Sequence, residues 1–140
     1  PLSLLKNFQS SENPQKTLDL ALSSLNFLTQ QFLDSHNNYF NFICDKNVPS
    51  QQPIEAGGAI ETYSTAFFIT GNKKYYSLAK LAFEWFHGQN IIGKSLINPK
   101  TGGVYDGLEK NGVNLNQGAE SILAYLLGAH AFSLCDTIKT

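Results

Sequence analysis

The sequence contains no methionine and only two cysteines, Cys44 and Cys135, with no Cys-x-x-Cys spacing anywhere. Two isolated cysteines build neither a disulfide framework nor a finger-type zinc site. They read as reduced, partly buried thiols, which points to a cytoplasmic protein. Charge is sparse too: Asp, Glu, Lys and Arg make up 15% of the chain, and the net charge is −1. Basic residues never cluster beyond Lys73-Lys74, so the footprint that nucleic acid or an anionic membrane surface requires is missing. No signal peptide is visible, and the uninterrupted apolar runs fall well short of a membrane span. Neither nucleic acid nor a membrane is expected as a partner. The chain opens on Pro1, and with no Met in it the expectation is a processed product or a subdomain.

What is present is the composition of a folded domain. Apolar residues make up 42% of the 140 residues, enough for one domain that buries roughly two-thirds of its unfolded surface. Ten Phe, six Tyr and one Trp are core material first, and sugar-stacking or interface material second.

Hydrophobic spacing predicts helices and no strand. Leu18, Ala21, Leu22, Leu25, Leu28 and Phe32 recur at three- and four-residue steps, an amphipathic helix opened by Asn13-Pro14 and running to about residue 34. A second helix opens at Pro53, with Ala56, Ala59, Ile60, Tyr63, Ala66 and Phe67 on its apolar face, and Gly71 stops it. A third follows at once and ends near His87-Gly88, its apolar residues running around most of the circumference. A fourth runs from Gln117 to about Thr137, with Ile122, Leu123, Leu126, Ala129 and Leu134 inward. The fold class is all-α, built of antiparallel αα-hairpins in a single helical domain over residues 1–140.

The connections alternate long, short, long. If successive helices are antiparallel, the long loops over 35–53 and 88–116 share one face. The second and fourth helices then begin on that face. Loops of this length are uncommon in compact domains unless they serve a function.

Residues 101–127 deliver Asp106, Asn114, Asn116, Gln117 and Glu120 to one helix N-terminus, where free N–H groups and the helix dipole favour acceptors and anions. One reading is a capping box and a loop ordered by its own amide side chains. The other is a site: Glu55, Asp106 and Glu120 as general acid and base, with Asn114, Asn116, Gln117 and Gln52 as partners for polyol hydroxyls and Tyr105 as a stacking platform. Trp85 reads as core. Gly102-Gly103 lacks the ending and the preceding strand of a phosphate loop, no cofactor motif is present, and His87 has no second His at metal-binding spacing. Gly57-Gly58 within a helix costs roughly 1 kcal/mol per residue relative to Ala, which close approach of another backbone would explain.

Four blocks add a resemblance: Gln51-Gln-Pro-Ile-Glu-Ala, Phe86-His-Gly-Gln-Asn90, Gly102-Gly-Val-Tyr-Asp-Gly-Leu and Asn114-Leu-Asn-Gln-Gly-Ala-Glu-Ser121. Over about residues 50–128 they resemble the helical (α/α) toroid region attached to many bacterial glycosyltransferases, related to the six-hairpin glycosidases. The resemblance implies a sugar cleft lined by Gln52, Glu55, Asp106, Asn114, Asn116, Gln117 and Glu120. It also implies a partial toroid, to be completed by further segments or further copies of the chain. A helical interaction or scaffold domain with well-capped loops is the alternative.

Overall fold

The computed structural model describes residues 1–36, 38–43 and 50–138; Cys44 lies outside the described residues. Helix α1 spans Leu2–Asn7 and passes through a 3-10 turn into α2, Pro14–Phe32. The remaining helices are α3, Pro53–Thr70; α4, Lys73–Phe86; and α5, Ala119–Ile138. The protein is therefore mostly helical. The expectation of no strand is corrected in two places: β1 (Leu33–Asp34) pairs with β2 (Tyr39–Phe40), and β3 (Gly107–Glu109) with β4 (Gly112–Asn114), both antiparallel. Strands of two or three residues are too short for an alternating pattern to register.

Local chemistry sets the helix ends. The Asn13 side chain accepts the Lys16 N–H at 3.0 Å, with Pro14 at the first helical position. Gly71, at φ +66, closes α3 by donating its N–H to the Phe67 carbonyl. Asn72 then caps α4 through the Lys74 N–H, so the link between α3 and α4 is as tight as an αα-hairpin allows.

Contacts along the helices fix their directions. Gly57 of α3 lies against Ala124 of α5, Ile60 against Gly128, and Ser64 against Cys135. The positions advance together, so α3 and α5 run parallel. Tyr76 of α4 meets Phe132 and Asp136, whereas Phe86 meets Tyr125. That order is reversed, so α4 runs antiparallel to α5. Both long connections reach the end where α3 and α5 begin: Gln51 and Leu108 exchange backbone hydrogen bonds at 2.9 and 2.8 Å. Gln89 donates to the Asn38 carbonyl at 2.7 Å.

The contact of α3 with α5 explains one of the paired glycines. A Cβ on Gly57 would lie 2.5 Å from the Ala124 carbonyl oxygen, a separation no side chain tolerates against backbone. The same closeness corrects the expected inner face of α5. Its buried residues are Ser121, Ala124, Gly128, Phe132 and Cys135. Leu123, Leu126 and Leu134 point outward instead, 57%, 55% and 44% exposed, with Leu127 and Ile138 beside them. Small residues face α3 because only they fit, and that turns the leucines out. The fourth helix also starts at Ala119 rather than Gln117.

By length and composition α5 is apolar enough to cross a membrane. Its uninterrupted apolar runs are short all the same, because Glu120, His130 and Asp136 break the helix into pieces. The core lies on the other side of the helices, where Phe40, Phe42, Tyr63, Trp85 and Phe86 form one aromatic cluster.

Candidate functional site

Parallel packing of α3 and α5 places their N-termini side by side. On α3, Gln52 and Glu55 form a capping box: the Gln52 N–H donates to Glu55 Oε2 at 3.0 Å, and the Gln52 side chain accepts the N–H of Glu55. Glu55 is half-buried, and burial pushes its carboxyl above the ordinary 4.5. The N–H groups of Glu55 and Gln52 oppose that shift, and the nearby charge of Glu120 adds to it. Glu120 itself is exposed on the first turn of α5.

Asp106 is placed differently. Its Oδ1 accepts the Gly118 N–H and the Ser121 hydroxyl, both at 2.6 Å, so a residue from the preceding loop caps α5. These bonds, Ser121 first and then Gly118, hold its carboxyl below the ordinary range. The Asp106 N–H in turn is shared by the carbonyls of Asn114 and Asn116, at 3.2 and 2.9 Å.

The amide side chains order the same loop. Asn114 accepts the Asn116 N–H at 3.1 Å in an Asx turn. Gln117 accepts the Thr101 hydroxyl at 3.0 Å and fills the space where a side chain on Gly103 would have been. Tyr105 is half-buried, its N–H bound to the Leu96 carbonyl. It lines a separate depression with Lys94, Asn111, Val113 and Leu115. His87 packs on Phe83 at 4.7 Å between ring centroids and lies 3.4 Å from the Tyr125 hydroxyl.

Two depressions flank the first turns of α3. Glu55 lines a groove of about 440 Å³ between α1, α2 and α3, floored by Leu25, Phe40, Phe42 and Tyr63. Glu120 lines another, of about 450 Å³, between α3 and α5, with Glu61, Leu123 and Leu127. Among the described residues, no group of three His, Cys, Asp or Glu side chains is placed to hold a metal ion.

Sequence reasoning missed Gln51. It is 2% exposed, and its side-chain oxygen accepts both the Phe42 N–H at 2.9 Å and the Trp85 indole N–H at 3.0 Å. Nothing in the Gln51-Gln52 pair distinguishes the buried member from the capping one, so only the register of the chain against Leu108 reveals it.

Comparison of the chain with protein-family models, with curated proteins and with solved structures found no match.

Proposed function

We propose that this protein is a carbohydrate-active helical domain that binds a sugar where α3 and α5 begin, of the partial (α/α) toroid kind that its sequence blocks resemble. The observation that supports it most is the pairing of Glu55 and Glu120. Parallel helices bring together one half-buried carboxyl with a raised pKa and one exposed carboxylate. Chemistry at a glycosidic bond uses such a pair, a proton donor tuned upward and an ionised partner. In this reading Glu55 donates or accepts through the proton that burial helps it keep, and Glu120 accepts from a sugar hydroxyl or supports charge. Asp106 positions α5 through Oδ1, which accepts from Gly118 and Ser121.

The test is calorimetry against a panel of mono- and disaccharides, with Glu120→Gln measured beside the parent. Loss of one charge-assisted hydrogen bond, roughly 1.5–3 kcal/mol, weakens binding by about ten- to more than a hundredfold. The melting temperature is expected to stay nearly unchanged. A parent protein that binds no sugar in the panel removes the reading.

The outward leucines of α5 favour a second reading, a helical unit that packs against further toroid segments or another copy of the chain. A patch of that kind marks an interface. A protein that sediments as a stable monomer at high concentration counts against self-assembly.

A further inference from the structure

The outward face of α5 has a regular spacing. Glu120, Leu123, Leu127, His130 and Leu134 follow one another at steps of three and four residues, and all of them are exposed. That is the spacing of the a/d seam along which two helices pack, and it faces away from the small residues that meet α3. The charged groups around it divide into committed and uncommitted ones. Asp136 accepts from the Tyr76 hydroxyl at 2.6 Å, and Glu61, on the facing side of α3, is ion-paired with Lys6 at 3.4 Å. Among the described residues, the side chains of Glu120 and His130 have no hydrogen-bond or ion-pair partner.

The charge pattern of the seam separates the occupants it could take. A lipid surface calls for lysine or arginine on the polar flank of such a helix, and residues 119–138 contain neither. A second copy of α5 laid parallel would set Glu120 against the partner's Glu120, like charge on like. Laid antiparallel, a positions face d positions. One register then sets Glu120 against the partner's His130 and Leu123 against the partner's Leu127. Two-fold symmetry repeats both layers, so the seam is complementary to itself, as an isologous interface requires.

We infer that α5 pairs antiparallel with α5 of a second copy, each Glu120 accepting from the partner's His130 and the leucines interleaving between them. An imidazole donates an N–H to a carboxylate whether or not it carries a charge. This rests on the packing reading above and commits it to another copy of the chain. It also brings the partner's His130 to the carboxylates at the start of α3 and α5. A carboxylate accepts at two oxygens, so Glu120 keeps one for a sugar hydroxyl.

The experiment is sedimentation equilibrium over a wide concentration range, on the parent, His130→Glu, Glu120→Lys and the double variant that carries both changes. The parent is expected to dimerise. Each single variant breaks both Glu–His contacts of a dimer and is expected to weaken it by about three- to thirtyfold. The double variant restores opposite charges in this register alone and is expected to recover most of that loss. Both positions are exposed, so melting curves should show every variant folded. A parent that stays monomeric overturns the inference; if it then floats with phosphatidylcholine vesicles, lipid covers the seam instead. A dimer that ignores both single variants, or a double variant as weak as they are, overturns the pairing and leaves the packing reading standing. A parent that dimerises but binds no sugar removes the sugar reading and leaves this one intact.

Discussion

The side-chain oxygen of Gln51 accepts the Trp85 indole N–H at 3.0 Å while also accepting the backbone N–H of Phe42 at 2.9 Å. One buried amide thus ties the first long connection to the core of α4, and the backbone of the same residue ties it to Leu108 in the second. The face on which α3 and α5 begin is held together at this point. Gln51→Ala leaves two buried donors without an acceptor, at about 1–3 kcal/mol each. Against a total stability of about 5–15 kcal/mol, that is a severe loss. Urea denaturation should show a large fall in the midpoint, followed through Trp85, whose emission reports on this position. A midpoint shift worth less than about 1 kcal/mol counts against Gln51 as the tie.

The paired glycines of α3 should respond in opposite directions. Gly57→Ala drives a methyl group into the Ala124 backbone, and overpacking of this kind costs about 1–3 kcal/mol. That outweighs the helix-propensity gain of roughly 1 kcal/mol. Gly58→Ala meets no neighbour and keeps the gain. Thermal melting of the two variants should therefore fall below and rise above the parent, respectively. Equal shifts would mean that α3 and α5 are not as close as described.

Asp106 should act as a cap, with a cap's pH dependence. Asp106→Ala strips the acceptor from the Gly118 N–H and the Ser121 hydroxyl, a loss of about 0.5–2 kcal/mol. Because the folded carboxyl titrates below its ordinary value of 3.8, its contribution is fully present above that pH. It is lost as the pH falls through the folded value. Melting curves from pH 6 downward should show parent and Asp106→Ala converging below about pH 3.8. A gap that stays constant through acid contradicts the assignment.

Glu55 carries the opposite sign. Its carboxyl is raised above 4.5 in the folded protein, so the native state holds the proton more tightly than the unfolded chain does. Stability from this group is greatest below 4.5 and declines as the pH rises through the folded value. Glu55→Gln keeps an oxygen for the Gln52 N–H and removes the charge. The variant should gain on the parent between about pH 4.5 and neutrality, measured as the difference in melting temperature. A variant that loses ground over that interval contradicts the direction of the shift.

Much of the helical content was legible because its signals are local. Asn13-Pro14, Gln52-Pro53 with Glu55, and Gly71-Asn72 act within a few residues of the helix ends they define, and the structure uses each of them there. The loop-length alternation also predicts 35–53 and 88–116 on one face, and among the described residues of those loops Gln51 meets Leu108 there and Gln89 meets Asn38. The inner face of α5 was not legible. Leucines at helical spacing read as inward from hydrophobicity alone, but which face turns in depends on how near α3 comes. That distance is set by Gly57 and Gly128, which lie far apart in the sequence.

The candidate site divides along the same line. Its residue types and their gathering at helix N-termini could be read from the chain, since caps, loops and glycines act on their neighbours. Their division of labour could not. Asp106 caps α5, Asn114 binds the loop to itself, and Tyr105 lies in another depression. Glu55 and Glu120 were paired by the parallel packing of helices whose first residues are more than sixty positions apart. The ends of α2, α3 and α4 follow from the chain alone, because Asn13-Pro14, Gln52-Pro53 and Gly71-Asn72 act on their neighbours, whereas the start of α5 depends on Asp106 in the preceding loop. The nearness of Glu55 to Glu120, and which leucines stay in solvent, belong to the folded chain instead, because those outcomes depend on the distance and direction between helices, which no local segment encodes.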